Sequence, residues 1–102
     1  HRYPKVQFVI LHMGGTDYTY GTVDLCKEAG TENLMLETSY ETEVPALHKM
    51  FKELPVDKFL YGSNYPSNFT NLSIMKFNSL NLSAAAMDKI FYQNAAQLLK
   101  LK

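Results

Sequence analysis

The chain has 102 residues, of which 46% are hydrophobic and 13% aromatic, a composition that suits a globular core and excludes intrinsic disorder. Its 10 basic residues balance 10 acidic ones, and no stretch collects one sign of charge, so neither nucleic acid nor an anionic membrane surface is an expected partner. No apolar run reaches the roughly 20 residues of a membrane-spanning helix. The single cysteine, Cys26, can form no internal disulfide and favours a reducing, cytoplasmic location.

The first part of the chain predicts two strands separated by a helix. Residues 6–11 are apolar on both faces apart from Gln7, a pattern typical of a central strand that is covered on both sides. A helical stretch follows, in which we expect Cys26 to be buried. Residues 33–39 then predict a second strand of the same kind.

A helix is predicted next because four apolar residues fall on one face at helical spacing. They are Val44, Leu47, Phe51 and Leu54. Thr42 is the expected N-cap of this helix, and Pro55 marks its end. Residues 58–62 predict the third strand.

Two helical stretches are predicted after the third strand. The first covers residues 69–80 and is loosely amphipathic, and the second has Ser83 as its N-cap. The apolar stripe of the second helix consists of Met87, Ile90, Phe91, Ala95, Leu98 and Leu99. Asn94 falls within this stripe, so we expect it to be buried and hydrogen-bonded to a neighbouring loop, since an unpaired buried amide costs about 1–3 kcal/mol.

This order of elements predicts an α/β fold with three parallel strands. A free sheet of this kind would expose its first and third strands as apolar edges, which invite aggregation. A (β/α)8 barrel has no edges, and three βα units are a little over a third of the roughly 250 residues it needs. We therefore predict that residues 1–102 are the C-terminal three βα units of a TIM barrel with a closing C-terminal helix. A self-contained α/β sandwich acting as an interaction domain is the alternative.

Polar residues follow the first and third predicted strands at the points where these strands end. His12 closes the first strand before a Gly14-Gly15 pair, and the sequence Gly-Ser-Asn-Tyr-Pro, residues 62–66, closes the third. The carboxyl ends of parallel strands are where α/β proteins place their chemistry. Imidazole ligates metals and transfers protons near neutral pH, which makes His12 the strongest candidate, with a purely structural histidine as the alternative.

Further candidates flank these strand ends. The expected substrate contacts are Asp17, Tyr18, Ser63 and Tyr65. For Asp17 and Tyr18, a role in starting the following helix is an equally good explanation. Glu37 and Ser39 end the second strand, and the alternation of side chains predicts that one of them faces the same edge of the sheet.

These motifs resemble the end of the metal-dependent amidohydrolase superfamily, in the branch that contains aminocarboxymuconate-semialdehyde decarboxylase. In that branch the sixth barrel strand follows Arg/Lys-Tyr/Phe-Pro and ends in His with a glycine pair, similar to residues 2–4 and 12–15 here. Its eighth strand ends in Gly-Ser/Thr-Asp-Tyr/Phe-Pro, which residues 62–66 match at four of five positions. The closing helix of the family ends similarly to residues 94–99.

The resemblance implies a hydrolase or decarboxylase that acts on a small carboxylate, lactone or amide with a divalent metal, for which we expect zinc. It implies that His12 either binds the metal or contacts the metal-bound water and substrate. Position 64 is usually an aspartate that binds the metal and takes a proton from water. Asn64 is a weak ligand and no base. His12 and Asn64 are therefore the predicted catalytic and metal-binding residues, and a catalytically decayed barrel that binds or regulates is the alternative.

The resemblance also implies which partners the chain has. The family's His-x-His pair and strand-five histidine are absent from these residues, so the other metal ligands lie outside this chain and the segment alone is expected to be inactive. The expected partners are a small-molecule substrate, the N-terminal part of the barrel and, as a further option, a second copy in a homodimer. The lack of an initiator methionine also leads us to expect a piece of a longer protein.

Overall fold

The computed structural model describes residues 2–15, 18–30 and 32–101, and its centre is a three-stranded parallel sheet. The strands are β1 (Phe8–Ile10), β2 (Leu34–Glu37) and β3 (Phe59–Leu60), in the order β1-β2-β3. Val9 pairs with Met35, and Leu36 pairs with Phe59. Because all strands run the same way, their carboxyl ends lie at one edge of the sheet.

Helices follow each strand, as the sequence predicts. They are α1 (Thr19–Ala29), α2 (Val44–Glu53), α3 (Thr70–Asn78), α4 (Ala84–Asp88) and α5 (Asn94–Leu98), with short 3₁₀ segments at Leu11–Gly14 and Val56–Lys58. A π-helical segment, Lys89–Gln93, joins α4 to α5 into one run that begins after the predicted N-cap, Ser83. The predicted alternation of parallel strands and helices is confirmed.

The core lies between the sheet and the helices. Its buried members are Met13, Val23, Cys26, Leu36, Leu47, Met50, Leu54, Phe59, Phe77, Leu80 and Ile90. Cys26 is buried as predicted, and its burial raises the pKa of the thiol. Aromatic side chains join β3 to the last helices, since Tyr61 stacks on Phe91 with ring centroids 4.4 Å apart.

The closing helix is fixed to β3 by polar contacts. Asn94 is buried, and its Nδ2 donates to the carbonyl oxygens of Val56 at 2.9 Å and Phe59 at 2.8 Å, which confirms the prediction for this residue. Within the π-helical segment, the Ile90 carbonyl accepts the Tyr61 N–H at 3.0 Å. These bonds align the last helices with the end of β3.

The predicted start of α2 is wrong in detail. The N-cap residue is Glu43 rather than Thr42, and the Glu43 side chain makes no capping hydrogen bond to the helix. The Glu43 N–H instead donates to Oε1 of the buried Glu41 at 2.7 Å. Thr42 is exposed and makes no such bond. The predicted inward face also loses Val44, which is 38% exposed.

The prediction that the first strand is central is wrong for the described chain. β1 lies at the edge of the sheet, and β2 is the central strand. No strand among residues 2–15, 18–30 and 32–101 pairs with the outer side of β1, so Phe8 and Leu11 remain 45% and 60% exposed. None of the helices in those ranges has the length and hydrophobicity that a membrane-spanning segment requires.

Candidate functional site

The carboxyl ends of the three strands form one polar surface, which we call the strand-end site. It comprises His12, Glu37, Ser39, Tyr40 and Asn64. Each strand end carries a residue other than glycine with positive φ: 56° at His12, 65° at Tyr40 and 57° at Asn64. Side chains rarely tolerate this backbone conformation, and strain of this kind concentrates at functional sites.

A chain of hydrogen bonds fixes the imidazole of His12. Its Nδ1 lies 2.8 Å from the Ser39 Oγ, and this hydroxyl lies 2.7 Å from Oε2 of Glu37. An ionised carboxylate only accepts, so the single hydroxyl proton of Ser39 goes to Glu37. Ser39 must then accept from His12, which places the imidazole proton on Nδ1. The lone pair is left on Nε2, which has no hydrogen-bond partner among the described residues.

The Glu37 carboxylate contacts the ends of all three strands. Its Oε1 accepts the Ser39 N–H at 2.7 Å, and its Oε2 accepts the His12 N–H at 3.2 Å. On its other side it lies against Gly62, where an added Cβ would be 1.6 Å from Oε1. Glycine at this position therefore makes room for the carboxylate. Both Glu37 and Ser39, and not just one of them, belong to this edge of the sheet.

The loop after β2 is anchored to two helices. Lys76 of α3 donates through Nζ to the carbonyl oxygens of Thr38 and, at 3.1 Å, Glu41. The carboxylate of Glu41 is fully buried and accepts a hydrogen bond from the Thr19 hydroxyl of α1. Ser39 therefore sits in a loop whose position is fixed from both sides.

We expect stability to depend on the titration of Lys76. Burial lowers the pKa of its ammonium group from 10.5 to about 8. The negative charges of Glu37 and Glu41 raise this pKa and offset part of the effect of burial. At pH values between these two pKa values, the unfolded chain binds more protons than the folded one. The contribution of Lys76 to the free energy of unfolding therefore rises with pH, by up to about 1 kcal/mol per pH unit.

Urea unfolding of the wild type and of Lys76→Met across that pH window measures this effect. The difference in unfolding free energy, wild type minus variant, should rise with pH, because other titrating groups cancel in it. A difference that stays flat would show that Lys76 keeps its ordinary pKa in the fold.

The other predicted site residues lie around this centre. Asn64 and Ser63 are half-buried, and the Ser63 Oγ accepts the Tyr65 N–H at 3.3 Å. Tyr65 and Tyr18 are 76% and 72% exposed, and Asp17 lies outside the described residues. Because β2 lies between β1 and β3, the ends of β1 and β3 are about 10 Å apart, on either side of the end of β2.

The residues present fit part of a divalent metal site. Nε2 of His12 offers an imidazole nitrogen, and the Asn64 amide offers a neutral oxygen, both of which are known ligand types. Residues 2–15, 18–30 and 32–101 contain no group of three His, Cys, Asp or Glu side chains that could hold a metal ion. A complete coordination shell therefore needs ligands beyond these ranges.

Sequence reasoning missed Lys76 and Tyr40. A signal for Lys76 exists, because it falls at helical spacing between the buried residues Ser73, Phe77 and Leu80. For Tyr40 the signal is weaker, because the sequence shows only that an aromatic residue directly follows Ser39 at the end of the predicted second strand.

Solved structures that this chain resembles in fold include decarboxylases. The dihydroxybenzoic acid decarboxylase of Polaromonas sp. JS666, solved with bound manganese and the inhibitor 2-nitroresorcinol, is 23% identical with a TM-score of 0.77. The match covers 98% of this chain and 35% of that one. The 2,6-dihydroxybenzoate decarboxylase of Rhizobium is 22% identical with a TM-score of 0.73, covering 98% and 36% of the two chains.

A third solved structure extends this group. The 5-carboxyvanillate decarboxylase of Sphingomonas paucimobilis is 16% identical with a TM-score of 0.72, over 99% of this chain and 36% of that one. This chain thus spans about a third of the length of the structures it matches. Comparison with curated protein sequences gives no significant match. The sequence model of the amidohydrolase family matches residues 1–101, and the chain therefore belongs to that family.

Proposed function

We propose that this chain forms the C-terminal three βα units of a (β/α)8 barrel and that the intact protein is a metal-dependent decarboxylase of a small carboxylate. The share of the solved decarboxylases that it covers supports the first part. So does the unpaired edge of β1, where a further parallel strand would cover Phe8 and Leu11. A cytoplasmic location and a homodimer remain predictions.

The observation that carries the proposal is the hydrogen-bond chain from Glu37 through Ser39 to His12. It directs Nε2 of His12 away from the network, where this nitrogen is able to exchange a proton with a bound substrate. Metal binding and proton transfer would use the same lone pair of Nε2, so His12 cannot do both at once. We assign proton transfer to His12 and a weak metal contact to the amide oxygen of Asn64.

Asn64 favours decarboxylation over hydrolysis. Hydrolysis of the kind that the resemblance implies uses the residue at position 64 as the base that takes a proton from water, and a neutral amide cannot act as that base near pH 7. Decarboxylation instead needs a proton delivered to the carbon that bears the carboxylate. Nε2 of His12 first takes up a proton from solvent and then gives it to this carbon. The bond to the carboxylate breaks, its electron pair stays with the substrate, CO₂ leaves, and the imidazole returns to the state with its proton on Nδ1.

A bound divalent metal would supply positive charge that orients the oxygen atoms of the substrate. The donor assigned to the metal here is the amide oxygen of Asn64, a ligand type that suits manganese at least as well as zinc. Asn64 and ligands from the rest of the barrel would hold this ion. Glu37 and Ser39 keep the imidazole of His12 in one orientation throughout.

A second candidate function is a barrel that kept binding and lost chemistry. The neutral Asn64 favours it, because the resemblance places an aspartate at this position. Hydrolysis of a lactone or amide is a third, less supported reaction.

One experiment tests these functions together. We expect the intact protein, stripped of metal by a chelator, to release CO₂ from 2,6-dihydroxybenzoate or a related small carboxylate only after manganese or zinc is added. Asn64→Asp serves as the matched variant, and its added charge should tighten metal binding about tenfold or more.

The outcomes separate the candidates. CO₂ release by the metal-loaded wild type supports the decarboxylase. Turnover by Asn64→Asp alone supports a decayed site, and hydrolysis of an added lactone or amide probe by a protein that releases no CO₂ supports a hydrolase. If neither protein converts any of these substrates, the enzyme proposal is wrong.

A further inference from the structure

Tyr40 has a backbone conformation that its side chain does not favour. The Glu41 N–H donates to the Ser39 carbonyl at 2.8 Å, so residues 39–41 form a γ-turn with Tyr40 at its centre. Its φ of 65° makes this the rare, strained form of the turn. Glycine adopts such a conformation without a steric penalty, whereas tyrosine does not.

The surroundings of Tyr40 hold this strained turn in place. Glu37 accepts both the N–H and the hydroxyl of Ser39 on one side of the turn. On the other side, Glu41 is fixed by its buried contact with Thr19 and by Lys76. Backbone strain that is held in place from both sides points to a functional role for the Tyr40 side chain.

The side chain of Tyr40 faces the strand-end site. Its ring centroid lies 5.6 Å from that of the His12 imidazole, with the two planes inclined by 54°. Although its ring lies against that of His12, Tyr40 is still 52% exposed, so much of its side chain remains open next to the imidazole. A planar ring held at Nε2 would come within stacking range of Tyr40.

We propose that Tyr40 is a specificity-determining residue that contacts the substrate and selects a ring-bearing carboxylate over an acyclic one. This proposal rests on the proposed function for the location of the binding site alone. Stacking of a bound ring on Tyr40 does not require turnover. Its test is therefore a binding measurement.

The test compares variants of the intact protein by calorimetry with two probes, 2,6-dihydroxybenzoate and an acyclic dicarboxylate of similar size. Tyr40→Gly and Tyr40→Leu should weaken binding of the ring-bearing probe about fivefold to tenfold, and Tyr40→Phe should not. Affinity for the acyclic probe should change less than about twofold. Tyr92→Leu is the matched control, since Tyr92 is a 62% exposed tyrosine of the terminal helix run and is not part of the strand-end site.

Thermal unfolding separates this role from a structural one. Tyr40→Gly should unfold at the same or a higher temperature, because glycine relieves the strained φ. Equal loss of affinity for both probes, or a fall in melting temperature with unchanged preference for the ring, would overturn the proposal. Selective binding without turnover would support Tyr40 while refuting the decarboxylase, and a wild type that binds neither probe would refute both.

Discussion

Replacing His12 with glutamine is expected to lower kcat of the intact enzyme by about 10²–10⁴-fold while changing KM little. Glutamine still offers a polar amide to Ser39, but it cannot carry a proton to the substrate carbon. The change therefore removes the proton donor and leaves most substrate contacts in place. Steady-state kinetics of CO₂ release from the metal-loaded protein measure it.

Metal affinity distinguishes the two roles that Nε2 of His12 is able to fill. If His12 transfers a proton, His12→Gln should bind the metal as tightly as the wild type does. If His12 is a ligand, the variant should lose metal affinity together with activity. His48→Gln is the control, because His48 lies exposed on α2. A His12→Gln enzyme with more than about a tenth of the wild-type kcat would refute the assigned role.

Periodic apolar patterns were enough to predict the strands, the helices and the burial of Asn94. An amide inside an apolar stripe must find partners, and the carbonyls of Val56 and Phe59 supply them. His12 and Asn64 were predictable because a strand end followed by a polar turn is a local pattern. Both kinds of inference need only residues that are close together in the sequence.

The partners of His12 could not be predicted to the same degree. Ser39 and Glu37 are 27 and 25 residues away, and only the parallel register of β1 and β2 brings them to the imidazole. The failed Thr42 cap has the same cause, since Glu41 is held by Thr19 from another helix. Contacts between elements, and not the elements themselves, determine the chemistry of the strand-end site.

Gly62→Ala is expected to lower the unfolding free energy by about 1–3 kcal/mol and kcat by about a hundredfold. The new methyl group would occupy the position of the Glu37 carboxylate, because a Cβ at residue 62 would lie 1.6 Å from Oε1 and 2.6 Å from the carboxyl carbon of Glu37. The Glu37 side chain is flexible enough to rotate away. In doing so it loses its hydrogen bonds to Ser39 and to the His12 N–H, which leaves the imidazole without its fixed orientation.

A double-mutant cycle tests whether the effect of Gly62→Ala passes through Glu37. Once Glu37→Ala has removed the carboxylate, adding Gly62→Ala should cost little more in stability or kcat, so the two changes should be strongly non-additive. Gly21→Ala is the matched control, because a Cβ at Gly21 meets no atom within 4 Å and the residue lies inside α1. That change should stabilise the protein by about 1 kcal/mol. Additive losses in the cycle would mean that Gly62→Ala acts on the surrounding backbone and not through the carboxylate of Glu37.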